Sequence, residues 1–322
     1  MLSYIGRRIL QFIPVFIGVT FILFLVRSPA LVPGDPIRMI AGERNVSEAV
    51  RAEVTKEYGL DKPIYVQYAR YMERLFKGDL GSSYQLHRDV KDILFDAFPN
   101  TLKLAGVAIL IEAILGIGAG ILSAVKRYSF WDVFVTFTTS ILVSLPVFWL
   151  GMGLQVLFGI KFKQWGLPYL PVTHMTGDGS GFWPHVILPA FTLASVSMAY
   201  TARIMRSQLL EVQGQDYVRT AWAKGLTSRQ VIWNHSLRNA MIPVVTFLAI
   251  DLGTMVGGAI LTETVFNWPG VGLTIFQAVS NLDWPIVTGG TLIIVIMVMA
   301  INLLADISYA FLDPRIRYGN AA

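Results

Sequence analysis

Residues 213–242 read QGQDYVRTAWAKGLTSRQVIWNHSLRNAMI, a polar and basic stretch between two long apolar runs. A helix that begins at Asp216 collects four residues at helical spacing along one side: Val218, Ala221, Trp222 and Gly225. Gly225 can adopt the left-handed conformation that ends a helix, and Thr227 or Ser228 can cap the next one. The stretch therefore predicts a short helix, a glycine turn and a second helix that leads into the following apolar run.

The composition of the chain is that of a membrane protein. Of its 322 residues, 54% are hydrophobic and 15% are charged, and the mean hydropathy is +0.56. Soluble domains usually carry roughly 25% charged residues, so this chain is suited to lipid. It contains no cysteine, which excludes disulfides, thiolate metal ligands and thiol catalysis.

Six apolar runs are long enough to cross a bilayer as helices, which takes about 20 residues each. They lie at about 9–27, 101–125, 131–160, 185–208, 242–266 and 286–312. Prolines occur within or at the edges of four runs, at Pro14, Pro146, Pro189 and Pro243, where packed neighbours can satisfy the freed backbone groups. Two pairs of glycines four residues apart, Gly116 with Gly120 and Gly253 with Gly257, favour close helix packing. We expect an all-α membrane protein with about six transmembrane helices.

Lysine and arginine in the short loops predict the orientation, because they accumulate on the cytoplasmic side. With the amino terminus inside, the short outer loops hold only Lys161 and Lys163. The cytoplasmic segments then hold Arg7, Arg8, Lys126, Arg127, Arg203, Arg206, Arg219, Lys224, Arg229, Arg238, Arg315 and Arg317. Both termini are therefore predicted to be cytoplasmic. The first run also suits a signal peptide, but its length and the poor cleavage site at 27–30 favour a retained helix.

The polar region 28–98 is predicted to be a small external helical segment. Ser47 can cap one helix, whose apolar face would carry Val50, Val54 and Tyr58. Asp61 begins a second helix, with Pro63 in its first turn and an apolar stripe of Tyr65, Tyr68, Met72, Leu75 and Phe76. The predicted domains are 1–27 (cytoplasmic amino terminus and first helix), 28–98, 99–312 (five-helix core with the cytoplasmic loop 209–241) and 313–322 (cytoplasmic tail).

Signatures of the common catalytic and cofactor sites are missing from the sequence. It contains no G-x-x-x-x-G-K-[ST] phosphate loop, so the chain is not expected to bind ATP itself. It also contains no H-E-x-x-H motif, the zinc-binding signature of metalloproteases. With four histidines and no cysteine, a built-in zinc site is not expected. Three residues could gather near one predicted outer loop, namely His174, Asp178 and His185. We interpret them as ordinary loop residues. We expect no catalytic residue, metal or cofactor in this chain.

Carboxylates inside apolar runs are costly to bury and are candidates for function. Glu112 lies in the second run, Asp251 and Glu263 in the fifth, and Asp306 in the sixth. As a polar lining they would meet a charged or zwitterionic solute. Hydrogen bonding between helices and partial exposure near an interface are the alternatives. Asp251, Glu112 and Glu263 are the candidate residues of a substrate pathway.

Three roles are open to the polar stretch 213–242. A DNA-reading helix pair is disfavoured, because membrane spans on both sides restrict access, and no nucleic-acid partner is expected. An anchor on anionic lipid is the more serious alternative. Arg219 and Lys224 stay available to an acidic surface, which favours the docking of a cytoplasmic protein.

Several motifs resemble one family. Residues 216–226 (DYVRTAWAKGL) and 237–243 (LRNAMIP) resemble the cytoplasmic loop of bacterial ABC importer permeases of the dipeptide/oligopeptide/nickel branch. Motifs of the same branch occur along the chain: PGDP at 33–36, YGLDKP at 58–63, GDLG at 78–81, TETVF at 262–266, WPGVG at 268–272 and DPRIR at 313–317. The resemblance covers nearly the whole chain and implies a type I ABC importer permease fold.

The resemblance implies an ATPase-coupling helix, with candidate residues Asp216, Tyr217, Arg219, Thr220, Ala221, Trp222, Lys224 and Gly225. The general loop of these permeases is written E-A-A-x-x-x-G. This chain has Arg219-Thr220-Ala221 at the first three positions and keeps the glycine as Gly225. The departure is typical of the peptide branch, but it means that the usual glutamate contact cannot be carried over to Arg219. The role of Trp222 is open too, because the branch often has arginine there.

The resemblance also implies partners and a mechanism. The chain would be a non-enzymatic permease subunit in the bacterial cytoplasmic membrane, paired with a homologous second permease and two ATP-binding subunits that hold ATP and Mg. An extracellular or periplasmic binding protein would deliver di- or oligopeptides. A nickel chelate and glutathione are alternative solutes. An ion-coupled secondary transporter is disfavoured, since no inverted repeat with broken helices is evident. No catalytic dyad supports an intramembrane hydrolase.

Overall fold

The computed structural model describes residues 2–27, 61–175 and 181–312, together with the isolated positions 48, 52, 55 and 56. This part of the chain is helical, and its one extended pairing is an isolated bridge between Ser82 and Asp89. The helices are α1 Leu2–Arg27, α2 Ile64–Phe76, α3 Val90–Val125, α4 Phe130–Ser144, α5 Val147–Gln164, α6 Phe182–Gln213, α7 Asp216–Ala223, α8 Ser228–Phe266, α9 Val271–Ser280 and α10 Trp284–Leu312. The predicted all-α fold is confirmed.

Five helices (α1, α3, α6, α8 and α10) are long and apolar enough to cross a membrane, and α4 with α5 would make a sixth if this bent pair is one span. This agrees with the prediction of about six. The predicted helix after Ser47, the loop position Asp178 and the tail 313–322 lie outside the described residues.

The third predicted span, 131–160, is not one straight helix. It breaks between α4 and α5, whose axes differ in direction by 109°. Leu145 and Pro146 at the break have extended ψ angles of 134° and 133°. Proline lacks an N–H group and drives the residue before it out of the helical region, which explains the break. Helices α6 and α8 nevertheless continue through Pro189 and Pro243.

Helix α3 begins at Val90, earlier than the predicted start of the second span near 101, so residues 90–98 of the predicted external segment belong to this helix. Its first turns are amphipathic. The buried side carries Val90, Ile93, Leu94 and Ala97 at helical spacing. The exposed side carries Lys91, Asp92 and Asp96, which interrupt the apolar run that marks the span in the sequence.

The chain divides into two compact units, and the first comprises residues 1–100 and 270–296. Helix α2 packs on α1 through aromatic side chains, and the Tyr68 hydroxyl lies 2.9 Å from Thr20 Oγ1. Lys77 Nζ donates to Glu73 Oε1 at 2.6 Å, which holds the pKa of Glu73 below its usual value. Buried Asp283 accepts from Ser83 Oγ at 2.5 Å and thereby ties the loop before α3 to the turn before α10.

The second unit comprises residues 101–269 and 297–322, and α6 is its central helix. The predicted close packing at glycines is confirmed at three positions. A Cβ atom at Gly116 or Gly120 would lie 3.0 Å or 2.6 Å from backbone oxygens of α6. A Cβ atom at Gly253 of α8 would lie 2.8 Å from the Asn302 side chain. Gly257 makes only ordinary contact, at 3.7 Å from Val298.

Candidate functional site

The polar stretch between α6 and α8 folds as predicted into a helical hairpin. Helix α7 (Asp216–Ala223) is followed by Lys224 and then by Gly225, whose φ of +79° is the left-handed conformation that glycine adopts without strain. Thr227 then caps α8 with a capping box. Its backbone N–H donates to Gln230 Oε1 at 3.0 Å, and its hydroxyl accepts from the Gln230 backbone N–H.

The inner face of α7 is narrow and apolar. Val218 is fully buried, Ala221 is nearly so, and both pack with Val231 at the start of the π-helical turn Val231–Ser236 of α8. Val212 at the end of α6 and Leu226 complete this cluster. The Tyr217 hydroxyl accepts a hydrogen bond from Asn239 Nδ2 at 2.7 Å. These contacts fix α7 to the end of α6 and to the start of α8.

The outer face of α7 is open. Of the eight predicted coupling residues, Ala221 is buried and the others are exposed: Asp216, Tyr217, Arg219, Thr220, Trp222, Lys224 and Gly225. Arg219 Nη1 lies 3.4 Å from Asp216 Oδ1, and both side chains are more than two-thirds exposed. Such a pair contributes little to stability, which leaves the guanidinium able to change partner.

Trp222, which helical spacing groups with Val218 and Ala221, is not part of this apolar cluster. Its side chain is 47% exposed, because Val218 and Ala221 alone fill the contact with Val231. An exposed tryptophan beside exposed Arg219 and Lys224 has the composition of a protein-binding surface, in which tryptophan and arginine often supply much of the binding energy.

The structure brings Glu112 and Asp251 together. Glu112, fully buried, begins the π-helical turn Glu112–Gly116 of α3 and accepts from Thr201 Oγ1 of α6 at 2.5 Å. Asp251 of α8 faces the Glu112 carboxyl and is 7% exposed. Glu263 is apart from this pair. It is fully buried and accepts from Thr101 Oγ1 of α3 at 2.7 Å.

A second polar cluster was missed in the sequence. Arg206 of α6 donates twice to Asp132 of α4, from Nε at 2.8 Å and from Nη2 at 2.9 Å. Ser123 Oγ and the Tyr128 backbone N–H also donate to Asp132. The two charged residues lie 74 positions apart, and the signal available was one acidic residue near the start of an otherwise apolar run.

His174 and His185 are hydrogen-bonded to neighbouring groups of the chain. His185 Nδ1 lies 2.8 Å from the backbone oxygen of His174, and His174 Nε2 lies 2.8 Å from Asn267 Nδ2. Within the part of the chain that the structure describes, no group of three His, Cys, Asp or Glu side chains is arranged to hold a metal ion. These histidines instead connect the loop before α6 to the end of α8.

Solved structures share this fold. The MetNI methionine ABC transporter matches with a TM-score of 0.55 and 19% identity, covering 69% of this chain and 96% of the other. An amino acid ABC transporter crystallised with histidines matches with a TM-score of 0.52 and 15% identity, covering 68% and 94%. The fold is therefore that of type I ABC importer permeases.

Sequence comparisons extend over the full length. A di/tripeptide transport system permease of Pseudomonas aeruginosa (strain UCBPP-PA14) is 39% identical, covering 99% of both chains. An oligopeptide transport system permease of Bacillus subtilis (strain 168) is 36% identical, covering 99% of this chain and 100% of the other. The family model for the inner membrane component of binding-protein-dependent transport systems matches residues 116–318, and the model for its amino-terminal part matches 1–105. The chain belongs to this family of transport permeases, the multi-pass inner membrane components of binding-protein-dependent transport systems.

Proposed function

We propose that this permease forms part of the transmembrane path of an ATP-driven peptide importer and that α7 is the element to which an ATPase subunit binds. The cargo rests on the relatives that share 36–39% of its residues over nearly their whole length, whose names specify di/tripeptides and oligopeptides. The coupling role rests on one observation, the open outer face of a helix whose inner face is fixed to α6 and α8.

The proposed complex contains this chain, a homologous second permease and two ATP-binding subunits that hold ATP and Mg. A peptide-binding protein delivers the solute on the outer side. We place the hairpin 209–241, both termini and the tail 313–322 in the cytoplasm, and the segment 28–98 outside. This arrangement follows the distribution of Lys and Arg in the short loops.

Closure of the ATPases would act on the permease through α7. The predicted coupling residues other than Ala221 would contact the ATPase, with Trp222 as an apolar anchor and Arg219 and Lys224 as partners for acidic groups. Ala221 would act indirectly, since its contact with Val231 transmits the motion of α7 to α8.

The pathway role of Asp251, Glu112 and Glu263 stays a prediction. All three side chains are covered by residues of this chain. We propose that they contribute to the pathway by fixing the helices that border it. Solute contact by these carboxyls would require the helices to separate.

The test is peptide uptake and ATP hydrolysis by the complete transporter in proteoliposomes. We expect Trp222→Ala to lose most peptide-stimulated ATP hydrolysis, because truncating an interface anchor costs about 2 kcal/mol or more, roughly a thirtyfold weaker contact. Trp183→Ala is the matched control, because Trp183 is also exposed and lies at the other end of α6. Equal losses in both variants would refute the coupling surface.

The solute class is tested in the same vesicles. Unlabelled di- and oligopeptides should compete with uptake of a labelled dipeptide, whereas glutathione and a nickel chelate should not. Uptake by this chain alone under a proton or sodium gradient, without ATP, would overturn the proposal.

A further inference from the structure

Glu112 and Asp251 carry oxygen atoms that lack a donor although they are buried. Oε1 of Glu112 accepts from Thr201, but Oε2 has no hydrogen-bond partner among the described residues. Asp251 is in contact with Ser197 of α6, and its Oδ2 likewise has no partner there. A buried carboxylate oxygen without a donor is expensive, because it has given up its hydration without replacement.

The two carboxyl groups face each other, one from α3 and the other from α8. If both were ionised, they would repel each other strongly, because the surrounding protein screens charge far less than water does. The neighbouring groups of α6 are neutral, namely Ser197 and Thr201, and for each carboxyl the other is the one charged group that acts on it.

Nearby cations are engaged elsewhere. Arg206 of α6 is bonded to Asp132, and Arg203 donates to Ser140 Oγ at 3.2 Å, so both point toward α4. The segment of α10 that packs on α8 near Asp251 presents neutral Asn302 and Ile301 at Gly253. No basic side chain of the described residues therefore compensates a double negative charge at this place.

We infer that Glu112 and Asp251 form a proton-binding site, in which one proton is shared between the two carboxyl groups. The bound proton supplies the missing donor, since the protonated carboxyl donates to an oxygen of the other. It also reduces the charge of the pair from two to one. Thr201 donates a hydrogen bond to Glu112, and Ser197 lies beside Asp251.

The proton would hold three helices together. Glu112 belongs to α3, its donor Thr201 to α6 and Asp251 to α8. The π-helical turn that begins at Glu112 and the close approach of Gly116 to Thr201, 3.0 Å for a Cβ atom, place α3 tightly against α6 at this point. Loss of the proton would leave two facing negative charges within this contact. The inference does not depend on which solute is transported.

Infrared difference spectroscopy of the purified transporter at neutral pH tests the shared proton directly. A protonated carboxyl has a C=O stretching band that an ionised carboxylate lacks. We expect this band to be present in the wild type and lost in both Glu112→Gln and Asp251→Asn, so that each difference spectrum contains it. In each variant the new amide can donate to the remaining carboxylate. Asp132→Asn is the control and should lose no such band, because Asp132 is paired with Arg206. No difference between wild type and the two test variants would overturn the inference.

Thermal unfolding of the same transporter between neutral and alkaline pH is a second readout. The wild-type midpoint should fall as the shared proton is lost, and the Glu112→Gln midpoint should change much less, because its amide donor cannot be removed. A wild-type midpoint as insensitive to pH as that of the variant would contradict the inference. A midpoint that instead depends on sodium, without the infrared band, would assign the site to a metal cation and equally refute a bound proton.

Discussion

At the scale of single residues, Asp132 shows how a charge is accommodated in an apolar helix. Its side chain is 7% exposed and accepts four hydrogen bonds, two from Arg206 and one each from Ser123 and the Tyr128 backbone. A bidentate contact between a guanidinium and a carboxylate is geometrically specific, and a lysine could not reproduce it. The cluster joins the turn 126–129 and the start of α4 to α6, about two turns before α6 ends at the hairpin.

Replacing Arg206 tests this cluster. We expect Arg206→Gln to lower the free energy of unfolding by about 2 kcal/mol, because buried Asp132 would lose its charged donor. The measurement is thermal or denaturant unfolding of the purified transporter. Arg203→Gln is the control. Arg203 is exposed on the same helix and makes a single contact with Ser140, so its loss should cost less than about 0.5 kcal/mol. A loss at Arg203 as large as that at Arg206 would contradict this view.

At the scale of elements, the contact between α3 and α6 depends on the absence of side chains. Gly120 lies against the Ala202 backbone oxygen and the Met205 side chain, whereas a Cβ atom at Gly118, half a turn away, would meet nothing within 4 Å. Both glycines lower the intrinsic stability of the helix, by about 1 kcal/mol each relative to alanine. Only Gly120 offsets this cost through close packing.

The two glycines give opposite expectations for the same substitution. Gly120→Ala should destabilise the fold by about 1–3 kcal/mol, because a Cβ atom 2.6 Å from a backbone oxygen forces the helices apart. Gly118→Ala should be neutral or slightly stabilising, since it gains helix propensity without a clash. Thermal midpoints of the two variants decide the matter. A stable Gly120→Ala protein with unchanged transport would show that this contact can relax.

The spans and the hairpin could be predicted from the sequence because both have strong local signals. Apolar runs mark the helices, and Gly225 with Thr227 marks the turn and the cap. The start of α3 was missed because Lys91, Asp92 and Asp96 interrupt its apolar run, although burial of the other face continues the helix. The effect of Pro146 was also missed. The helix is interrupted at Pro146, whereas Pro189 and Pro243 lie inside continuous helices. Whether a proline interrupts a helix depends on tertiary packing, which the sequence does not show.

The candidate site was predictable in part for the same reason. The eight residues proposed for coupling follow from one continuous motif, and the structure shows seven of them exposed. The side of α7 on which Trp222 lies could not be read from helical spacing, since Val218 and Ala221 alone suffice to fill the inner contact. The contacts of Glu112 with Asp251 and of Asp132 with Arg206 join residues far apart in sequence, which no local pattern reports.

At the scale of the whole molecule, the long helix α6 fixes which chain segments can lie on the same side of a membrane. It has 32 residues, which is about 48 Å at 1.5 Å per residue and exceeds the roughly 30 Å hydrocarbon core. Trp183 at its start and Lys224, beyond its end, are both exposed. If α6 crosses the bilayer, the two positions lie on opposite sides.

The natural absence of cysteine makes the orientation directly measurable. We expect a membrane-impermeant maleimide to label Lys224→Cys only from the cytoplasmic side and Trp183→Cys only from the outer side. The unmodified chain is the negative control, because it has no thiol that the maleimide could label. Labelling of Lys224→Cys from outside would invert the proposed topology, and with it the place of the ATPase.

Helix α8 has a mechanical consequence. It runs for 39 residues, about 58 Å, from the Thr227 cap beside α7 to Phe266, whose backbone oxygen accepts from the His174 N–H. A rigid rod of that length that tilts by about 5° about its midpoint moves its two ends in opposite directions by about 2.5 Å each. If α8 tilts as a rigid body, a displacement of α7 smaller than one helical turn would shift the far end of α8, where His174 contacts Phe266 and Asn267.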